Sequence, residues 1–364
     1  MFRLLLQSRL YAALLVSATT SLAAPGPRMA SPSLPNFGMF RPHGPSIRPS
    51  SATEGADSKA VPRFNTYTFT EIPIPGAVNV FPWDINNAGD VAGSYLEASG
   101  DLGTFYRVKG VVKLLKYSDD HPGSPYNVTS VSALNEESTI LAGNWGTLTT
   151  QKAGYYVIAT KEWVELPDIP GYRLNYPSRL LPSGLIPGYA CKDGDWNFSF
   201  NCFAWLWDGA RYIRQFSFPA SQSTYLYDVN SSGEAIGVYF NGEPSNPAFQ
   251  LHAFAGELFP RFRFSDFVPV YDGFVPPQVS ANGINDEGII VGGILFDEGW
   301  RGYIYDHGFI DLLPNFTPAD SSVPIVVTAF YQINNSGQIL GAWLNGETGA
   351  WTMLMATPKV VNGR

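Results

Sequence analysis

The chain has 364 residues, of which 14% are aromatic and 15% charged, and its formal net charge is -8. The segment 64–364 holds 16 of the 23 basic and 29 of the 31 acidic residues, which gives it a formal charge of -13. Because such an acidic surface repels phosphate backbones, the composition argues against nucleic-acid binding. Two cysteines alone cannot form a structural zinc site, which needs four ligands. The chain has four histidines, one of them in the segment before residue 64, which argues against a multi-histidine centre, so we expect no metal.

The N-terminus has the pattern of a secretory signal peptide. Arg3 and Arg9 supply positive charge, a short apolar run follows, and small residues precede a cleavage point after Ala23 or Ala24. The apolar run is too short to span a bilayer, which takes roughly 20 residues, and no later segment is long and apolar enough. We therefore expect residues 1–23 to be removed, the protein to be secreted to an extracellular or periplasmic location, and no membrane span.

Residues 24–63 are dense in Pro and Ser and poor in large apolar side chains. Such a segment cannot bury enough surface to offset the entropy lost on ordering, so we predict a disordered linker. The remaining residues, 64–364, carry an unbroken repeat and are predicted to form a single domain.

One phrase of nine residues recurs six times in this domain and determines its architecture. Its copies start 49, 46, 49, 55 and 49 residues apart, and the second copy is one residue longer than the others. A self-similar period near 50 residues indicates a repeat fold in which each unit is one supersecondary element. The copies are INNAGDVAG (85–93), LNEESTILAG (134–143), LLPSGLIPG (180–188), VNSSGEAIG (229–237), INDEGIIVG (284–292) and INNSGQILG (333–341).

The first complete unit predicts four short antiparallel strands. Apolar, β-prone residues from Val78 to Ile85 form the first strand, and the Asn-Asn-Ala-Gly that follows is a tight turn, because Asn bonds its own backbone and Gly tolerates positive φ. The second, third and fourth strands are predicted at 90–96, 104–108 and 111–117. Four antiparallel strands in about 50 residues match the blade of a β-propeller.

The two ends of the domain predict how the repeat is completed. The last unit has three strands and then ends near Pro358, so its fourth strand is missing. The stretch from Phe69 to Gly76 resembles the fourth strand and exit at Trp163 to Gly171. We therefore predict that the N-terminal strand completes the last unit, which removes an exposed sheet edge. The predicted fold class is all-β: a six-bladed β-propeller with four antiparallel strands in each blade.

The phrase Ile-Asn-x-x-Gly, followed some 15 to 20 residues later by an aromatic triplet such as His252–Phe254 (HAF), resembles the HAF-repeat family of bacterial extracellular proteins. The resemblance covers the chain from about Tyr67 to Trp351 and is weakest in the third copy, where Leu181 replaces the Asn and Pro182 enters. It implies a secreted, β-rich protein. The family is defined by its repeat, so the resemblance assigns no catalytic residue.

The only two cysteines, Cys191 and Cys202, lie close together in the third unit. In an exported protein such a pair predicts one disulfide. The loop between them alternates acidic and amide residues (DGDWN) that could offer oxygens to calcium, but the full calcium loop is absent. A polar hairpin tip pinned by the disulfide is therefore the favoured interpretation, and Trp196 at this tip is a candidate for stacking on a sugar or a partner.

Asp119, Asp120 and His121 lie between the first and second units. A carboxylate beside a histidine suits acid–base chemistry because His titrates near neutral pH, but the following Pro-Gly is a turn signal and favours a solvated loop. We keep His121 as a candidate binding residue. The sequence carries no nucleophile elbow, metalloprotease, P-loop or dinucleotide motif, and we expect no cofactor.

The first strands of the units are predicted to line a central channel. The candidate residues on these strands are Trp83, Asp84, Tyr176, Arg179, Tyr225, Tyr227, Asp228 and Tyr331. Two carboxylates across a channel are what glycoside hydrolysis requires, so Asp84 and Asp228 are the catalytic candidates. Arg179 and Tyr227 would orient the substrate, and the other aromatic residues would bind it. Alternatively, the carboxylates are structural ions that pair with Arg179, or they lie beside the turn at the far end of the strands.

These features predict a secreted β-propeller that binds a glycan or an extracellular protein through its loop face, as a monomer. The aromatic-rich, acidic body and the lack of a catalytic signature favour binding. The alternative is a secreted carbohydrate-active enzyme, a hydrolase or a lyase, with the carboxylates of the channel in its active site.

Overall fold

The computed structural model describes residues 67–194, 199–241, 250–258, 262–271, 273, 275–296, 299–312 and 325–359. The predicted signal peptide, the predicted linker and Trp196 lie outside these ranges. Apart from α1 (Tyr117–Asp120), the regular elements in these ranges are β-strands, so the all-β prediction is confirmed. No helix in the described ranges is long and apolar enough to cross a membrane.

Each copy of the phrase lies in an antiparallel set of four strands, and we number these sets 1 to 6 in the order of the phrase. The strand that precedes set 1 is β1 (Tyr67–Glu71). Sets 1 to 3 contain β2 (Asn79–Ile85), β3 (Val91–Leu96), β4 (Leu102–Val108), β5 (Val111–Leu115), β6 (Val128–Leu134), β7 (Ile140–Gly146), β8 (Gln151–Val157), β9 (Glu162–Glu165), β10 (Leu174–Pro177), β11 (Ile186–Gly194), β12 (Ser199–Trp207) and β13 (Tyr212–Phe216). Single parallel pairs, Leu102 with Val128 and Gln151 with Leu174, join these sets into one 12-stranded sheet.

The remaining sets are separate four-stranded sheets. Sets 4 and 5 contain β14 (Ser223–Val229), β15 (Glu234–Phe240), β16 (Leu251–Glu257), β17 (Arg263–Phe267), β18 (Val279–Ile284), β19 (Ile290–Phe296), β20 (Gly299–Asp306) and β21 (Phe309–Leu312). Set 6 contains β22 (Ile325–Ile333), β23 (Ile339–Asn345) and β24 (Trp351–Pro358), and β1 lies beside β24. β1 runs antiparallel to β24, with Tyr67 opposite Pro358 and Glu71 opposite Leu354. The N-terminal strand therefore supplies the fourth strand of set 6.

The phrase forms the turn between the first and second strands of each set. In set 1, Asn86 Oδ1 accepts hydrogen bonds from the N–H groups of Ala88 (3.1 Å) and Asp90 (3.0 Å), and Gly89 has a φ of 78°. An Asn that bonds its own backbone and a Gly with positive φ are what this turn requires. In set 2, Ser138 takes the Gly position with a φ of 55°, and its hydroxyl donates to Asp90 Oδ2 at 2.6 Å. Ser138 thus has a positive φ, which is less favourable for serine than for glycine, and its side chain forms a hydrogen bond to set 1.

The last glycine of the phrase is required by close packing. A Cβ atom on Gly237 would lie 2.0 Å from the carbonyl oxygen of Tyr225 and 2.7 Å from the Phe254 ring. Phe254, which ends the HAF triplet, is fully buried. In sets 1, 3, 4 and 5 a ring of the third strand packs on this glycine of the second strand, which explains why the phrase and the aromatic residues recur together there.

Apolar side chains fill the spaces between the sets and the centre of the molecule. One buried cluster receives side chains from every set. Its members from sets 1 to 6 include, in that order, Phe81, Val128, Tyr176, Tyr225, Trp300 and Tyr331. The sets therefore share this cluster, and further buried clusters lie between pairs of sets.

Hydrogen bonds between copies of the phrase tie neighbouring sets together. The side-chain amide of Asn86 donates to the backbone oxygen of Asn135 at 3.1 Å, and the amide of Asn230 donates to that of Asn285 at 3.0 Å. Asn285 donates in turn to the backbone oxygen of Asn334 at 3.5 Å, and Asn334 donates to that of Asn86 at 2.9 Å. These bonds connect the sets in the order 4, 5, 6, 1 and 2.

Set 3 interrupts this series because its phrase lacks the donors. Leu181 occupies the position of the bonding Asn, and Pro182, which follows it, has no backbone N–H. In set 2, the side-chain amide of Asn135 donates within its own turn, to Glu137 Oε2 at 2.9 Å. A different residue of set 3, Arg179, connects this set with sets 1 and 4.

Candidate functional site

Arg179, the residue before the third phrase, forms ion pairs with both candidate catalytic carboxylates. Its Nη1 contacts Asp84 Oδ1 from set 1, and its Nε lies 3.3 Å from Asp228 Oδ1 of set 4. Both aspartates are 0% exposed, and the Arg179 side chain is 14% exposed. The structure thus brings together three of the residues that the sequence assigns to the channel, as one buried ion cluster.

Backbone N–H groups bind the same two carboxylates. Asp84 Oδ2 accepts a hydrogen bond from the N–H of Leu134 in set 2 at 2.7 Å, and Asp228 Oδ2 accepts one from Ile284 in set 5 at 2.8 Å. Asp228 Oδ1 also accepts from the N–H of Val229 at 2.8 Å. Each carboxylate therefore joins the first strand of its own set to the first strand of the next set.

Burial and neighbouring charges determine the ionisation of this cluster. Burial raises the pKa of Asp84 to about 6, although the Arg179 guanidinium and the Leu134 N–H act in the opposite direction. Burial by itself lowers the pKa of Arg179, but the two aspartates outweigh it and keep that pKa above its usual value. Glu136 and Asp286 act on Arg179 in the same direction as the aspartates. Arg179 is therefore charged at every pH of interest, whereas Asp84 takes up a proton below about pH 6.

The aromatic candidates of the channel belong to the centre of the core. Trp83, Tyr176, Tyr225, Tyr227 and Tyr331 are each between 6% and 8% exposed. The Trp83 ring meets the edge of Tyr331 with the centroids 5.3 Å apart, and the centroids of Tyr225 and Tyr227 are 6.0 Å apart. These contacts are those of packed core residues.

The disulfide predicted between Cys191 and Cys202 is present. The two cysteines lie directly opposite each other on β11 and β12, which have nine residues each. The corresponding strands of set 2, β7 and β8, have seven residues each. The β11–β12 hairpin is therefore longer than its counterpart, and Trp196 belongs to its connection, outside the described residues.

Side chains from the connections on both sides brace this hairpin. The Arg173 guanidinium donates to the backbone oxygen of Lys192 at 3.0 Å. The Lys192 ammonium lies 5.1 Å from the centroid of the Tyr172 ring, which is a cation–π distance. On the other side, Gln222 Nε2 donates to Asn201 Oδ1 at 2.9 Å. The base of the hairpin is therefore held from two directions as well as by the disulfide.

The described part of the hairpin contains one of the oxygen donors considered for calcium. Asp193 Oδ2 accepts a hydrogen bond from the Asn201 side-chain amide at 2.6 Å. Asp195 and Asn197 lie outside the described residues. Within the described ranges, no group of three or more His, Cys, Asp and Glu side chains is placed to hold a metal ion.

His121, in the connection between sets 1 and 2, is exposed and stacks on an aromatic cluster. Its ring lies nearly parallel to that of Tyr117, with the centroids 4.0 Å apart and an interplanar angle of 6°. Tyr117 also stacks on Trp145 at 5.7 Å and meets the edge of Trp163 at 5.1 Å. The indole N–H of Trp163 donates to Asp120 Oδ2 at 2.9 Å. His121 is thus the outer member of an ordered stack.

Sequence reasoning missed Tyr117, Trp163 and Arg173. The hydrogen-bond partner of Trp163, Asp120, is 43 positions away in the chain. Nothing local in the sequence indicates such a contact. The one signal in the sequence that could have identified Arg173 is that it directly follows an aromatic residue in the connection before set 3. In the structure its side chain is exposed.

Comparisons with known proteins give similar structures but no related sequence. No family model and no curated protein matches the chain. TolB from Acinetobacter baumannii is similar with a TM-score of 0.45 and 11% identity, over 74% of this chain and 64% of that chain. An acylaminoacyl peptidase from Pyrococcus horikoshii has a TM-score of 0.44 and 12% identity, over 79% and 46% of the two chains. For the polysaccharide lyase Uly1 the TM-score is 0.39 and the identity 9%, over 77% and 78%.

The chain spans between 43% and 64% of the length of the first three solved structures that it resembles. With TM-scores below 0.5, these likenesses carry no argument about function. The function is therefore inferred from the residues of the chain itself.

Proposed function

We propose that sets 1 to 6 are the blades of one closed six-bladed β-propeller built from HAF-type repeats, with β1 completing the last blade. Hydrogen bonds between the first and last sets support this closure. The N–H of Asn335 donates to Asn87 Oδ1 at 2.8 Å, and the N–H of Trp351 donates to Asn79 Oδ1 at 2.8 Å. The core cluster shared by all six sets supports the same arrangement.

The proposed function of this propeller is to bind a partner protein or a glycan at the end where the β11–β12 hairpin projects. The observation that carries the proposal is the bracing of this hairpin by the disulfide, Arg173 and Gln222. A hairpin fixed before binding loses little conformational entropy when a ligand is bound, so its contacts contribute more fully to affinity. Trp196 in its connection is the proposed contact residue, because tryptophan is enriched among residues that dominate binding energy.

The alternative function is that of a carbohydrate-active enzyme that uses Asp84 and Asp228. One observation favours it: burial raises the pKa of Asp84 to about 6, a value suited to a general acid. The surroundings of both carboxylates favour binding over catalysis, because each is completely buried, paired with Arg179 and bonded to backbone N–H groups. Residues in this state hold the sets together instead of facing a substrate.

The decisive experiment compares capture of ligands by the wild-type protein and by Trp196→Ala. Immobilised protein is exposed to a glycan array and to extracts of the producing cell's envelope. We expect Trp196→Ala to lose at least tenfold in capture, and Arg211→Ala to bind like the wild type. Arg211 is the matched control because it lies in the turn after β12, at the opposite end of the same set.

Two results would contradict the proposal. Equal capture by Trp196→Ala and the wild type would remove the hairpin as the binding site. Blank arrays and extracts together with turnover of a polysaccharide, abolished in Asp84→Asn and Asp228→Asn, would favour the enzyme.

Secretion and a monomeric state belong to the same proposal. The disulfide supports an oxidising location, because such bonds persist outside the cytosol. Mass spectrometry of the protein recovered from its producing cells should find a mature N-terminus next to Ala23 or Ala24. Light scattering should give the mass of one chain.

A further inference from the structure

The cluster around Tyr117 runs from the interior to the surface of the molecule. Its members, which we call the Tyr117 stack, are His121, Tyr117, Trp145 and Trp163. Trp145 is 1% exposed, Tyr117 is half-buried and His121 is exposed. The outer ring therefore rests on rings that are themselves fixed by the core.

Two contacts hold the His121 ring in place. It stacks on Tyr117, and its Nδ1 lies 3.2 Å from the backbone oxygen of Tyr117. Because a carbonyl oxygen only accepts, this bond places a hydrogen on Nδ1 and leaves Nε2 on the opposite edge of the ring. A flat ring with one face on Tyr117 and the other towards solvent is thus positioned before any ligand arrives.

The polar groups around the stack are mainly acidic. Asp119 and Asp120 are exposed beside His121, and Asp120 is oriented by the Trp163 indole N–H. Lys152, the cation that acts on the Tyr117 hydroxyl, is paired with Glu165 at 2.8 Å. Carboxylates accept hydrogen bonds from hydroxyl groups and repel other anions.

We propose that the His121 face of the Tyr117 stack is a binding subsite for an uncharged sugar ring. The C–H edges of a pyranose carry partial positive charge and suit the negative face of an aromatic ring. Its hydroxyl groups suit the acceptors on Asp119 and Asp120 and Nε2 of His121. The inference rests on the proposed binding function, and it adds the class of ligand and a second candidate site on elements other than the β11–β12 hairpin.

The chain offers a matched control in a second stack of the same kind. His252 stacks on Tyr239 at 5.1 Å with an interplanar angle of 19°, and Tyr239 stacks on Phe218 at 4.1 Å. His252 is only half-exposed, and the Tyr239 hydroxyl donates to Asp266 at 2.5 Å. This stack has the same ring order, but its outer histidine is less accessible.

The test measures binding of neutral hexasaccharides by calorimetry and by tryptophan fluorescence, with cellohexaose, xylohexaose and chitohexaose as probes. Oligogalacturonate of the same length is the anionic probe. We expect at least one neutral probe to bind and the anionic probe not to bind. His121→Ala should weaken that binding at least fivefold. His121→Phe, which keeps a flat ring but lacks Nε2, should weaken it less than His121→Ala does, and His252→Ala should stay within twofold of the wild type.

Each other outcome overturns the inference. These outcomes are failure of all neutral probes to bind, tighter binding of the anionic probe, and unchanged binding by His121→Ala. Trp196→Ala is measured on the same probes to separate the two proposals. If binding depends on Trp196 and not on His121, the hairpin remains the site and the Tyr117 stack is a structural cluster.

Discussion

At the scale of single residues, Arg179 explains how the sequence tolerates two fully buried aspartates. One guanidinium balances one carboxylate, so the cluster of Arg179, Asp84 and Asp228 carries excess negative charge when both aspartates are ionised. Taking such a charge out of water is costly unless it is neutralised. A proton on Asp84 removes the excess negative charge of the cluster. The pKa of Asp84, which burial raises to about 6, is consistent with this uptake of a proton.

The first prediction concerns the pH dependence of stability. The pKa of Asp84 rises from 3.8 to about 6 on folding, so the folded protein binds a proton that the unfolded chain releases between these values. The stability from this group is complete below about pH 4 and is lost as the pH rises through about 6, by roughly 3 kcal/mol for two pKa units. Urea unfolding at pH 5 and 7.5 should therefore show a smaller difference in Asp84→Asn than in the wild type.

The control for this prediction is Glu162→Gln, which changes an exposed carboxylate. Its pH dependence should match that of the wild type. If Asp84→Asn also keeps the wild-type pH dependence, the proton is held elsewhere in the protein. The other charged groups that act on Asp84 are Arg179, Asp228 and Glu136.

The second prediction is that Arg179→Met destabilises the protein strongly at neutral pH. Methionine fills a similar volume but leaves two buried carboxylates without a cation, which costs about 3–5 kcal/mol in the free energy of unfolding. The loss should be smaller at pH 5, where Asp84 is protonated. Arg211→Met is the control: its side chain is 81% exposed and 3.8 Å from Asp208, so its loss should be within about 1 kcal/mol. Equal losses in the two variants would contradict the role given to Arg179.

At the scale of elements, the phrase has a second function that a single unit does not reveal. The same Asn that stabilises its own turn through Oδ1 donates through Nδ2 to a neighbouring copy of the phrase. This explains why the residue is Asn: Asp lacks the donor, and Ser is too short to reach the next turn. Set 3 lacks this Asn, and there Arg179 connects set 3 to sets 1 and 4.

The third prediction compares two copies of this Asn. Asn334→Ala removes the bonds within its turn and the bond to Asn86, whereas Asn135→Ala removes bonds within its own turn only. The net value of one hydrogen bond is about 1 kcal/mol, so Asn334→Ala should lower the free energy of unfolding by about that much more. Urea titration of both variants gives the difference. If the two losses are the same, the bonds between sets contribute nothing to stability.

Much of this architecture can be predicted from the sequence, because it is determined by interactions between residues that are close in the chain. The Asn and Gly of the phrase specify the turns, and the two cysteines specify their own pairing across adjacent strands. By contrast, the partners of Arg179 were left open between catalysis and ion pairing. Asp84 is 95 positions away in the chain, and only the arrangement of the sets brings the two side chains together.

At the scale of the whole molecule, the ends of the repeat meet through β1. Tyr67 and Phe69 of this strand pack on the buried cluster between sets 5 and 6, and β1 covers the edge of β24. An uncovered edge presents free N–H and C=O groups to other chains. The strand therefore both completes a sheet and protects it.

The last prediction is that the position of β1 in space matters and its position in the chain does not. A variant that begins at residue 72 should lose stability and self-associate through the exposed edge of β24, as measured by urea unfolding and size-exclusion chromatography. In a second variant, the β1 sequence is moved behind Pro358 through a linker of about four residues, a length that hairpins use. Because Tyr67 lies opposite Pro358, the moved strand can pair with β24 in the same register.

The second variant should regain the monomeric state and most of the stability, although the covalent link from β1 to set 1 is gone. In that case the hydrogen bonds and packing between sets 6 and 1, such as the bond from Asn334 to Asn86, keep the two sets together without help from the chain. If the moved strand restores the monomer but not the stability, the connection from β1 to β2 is itself what holds these sets together. The proposed ring would then be closed by the backbone and not by contacts between its first and last blades.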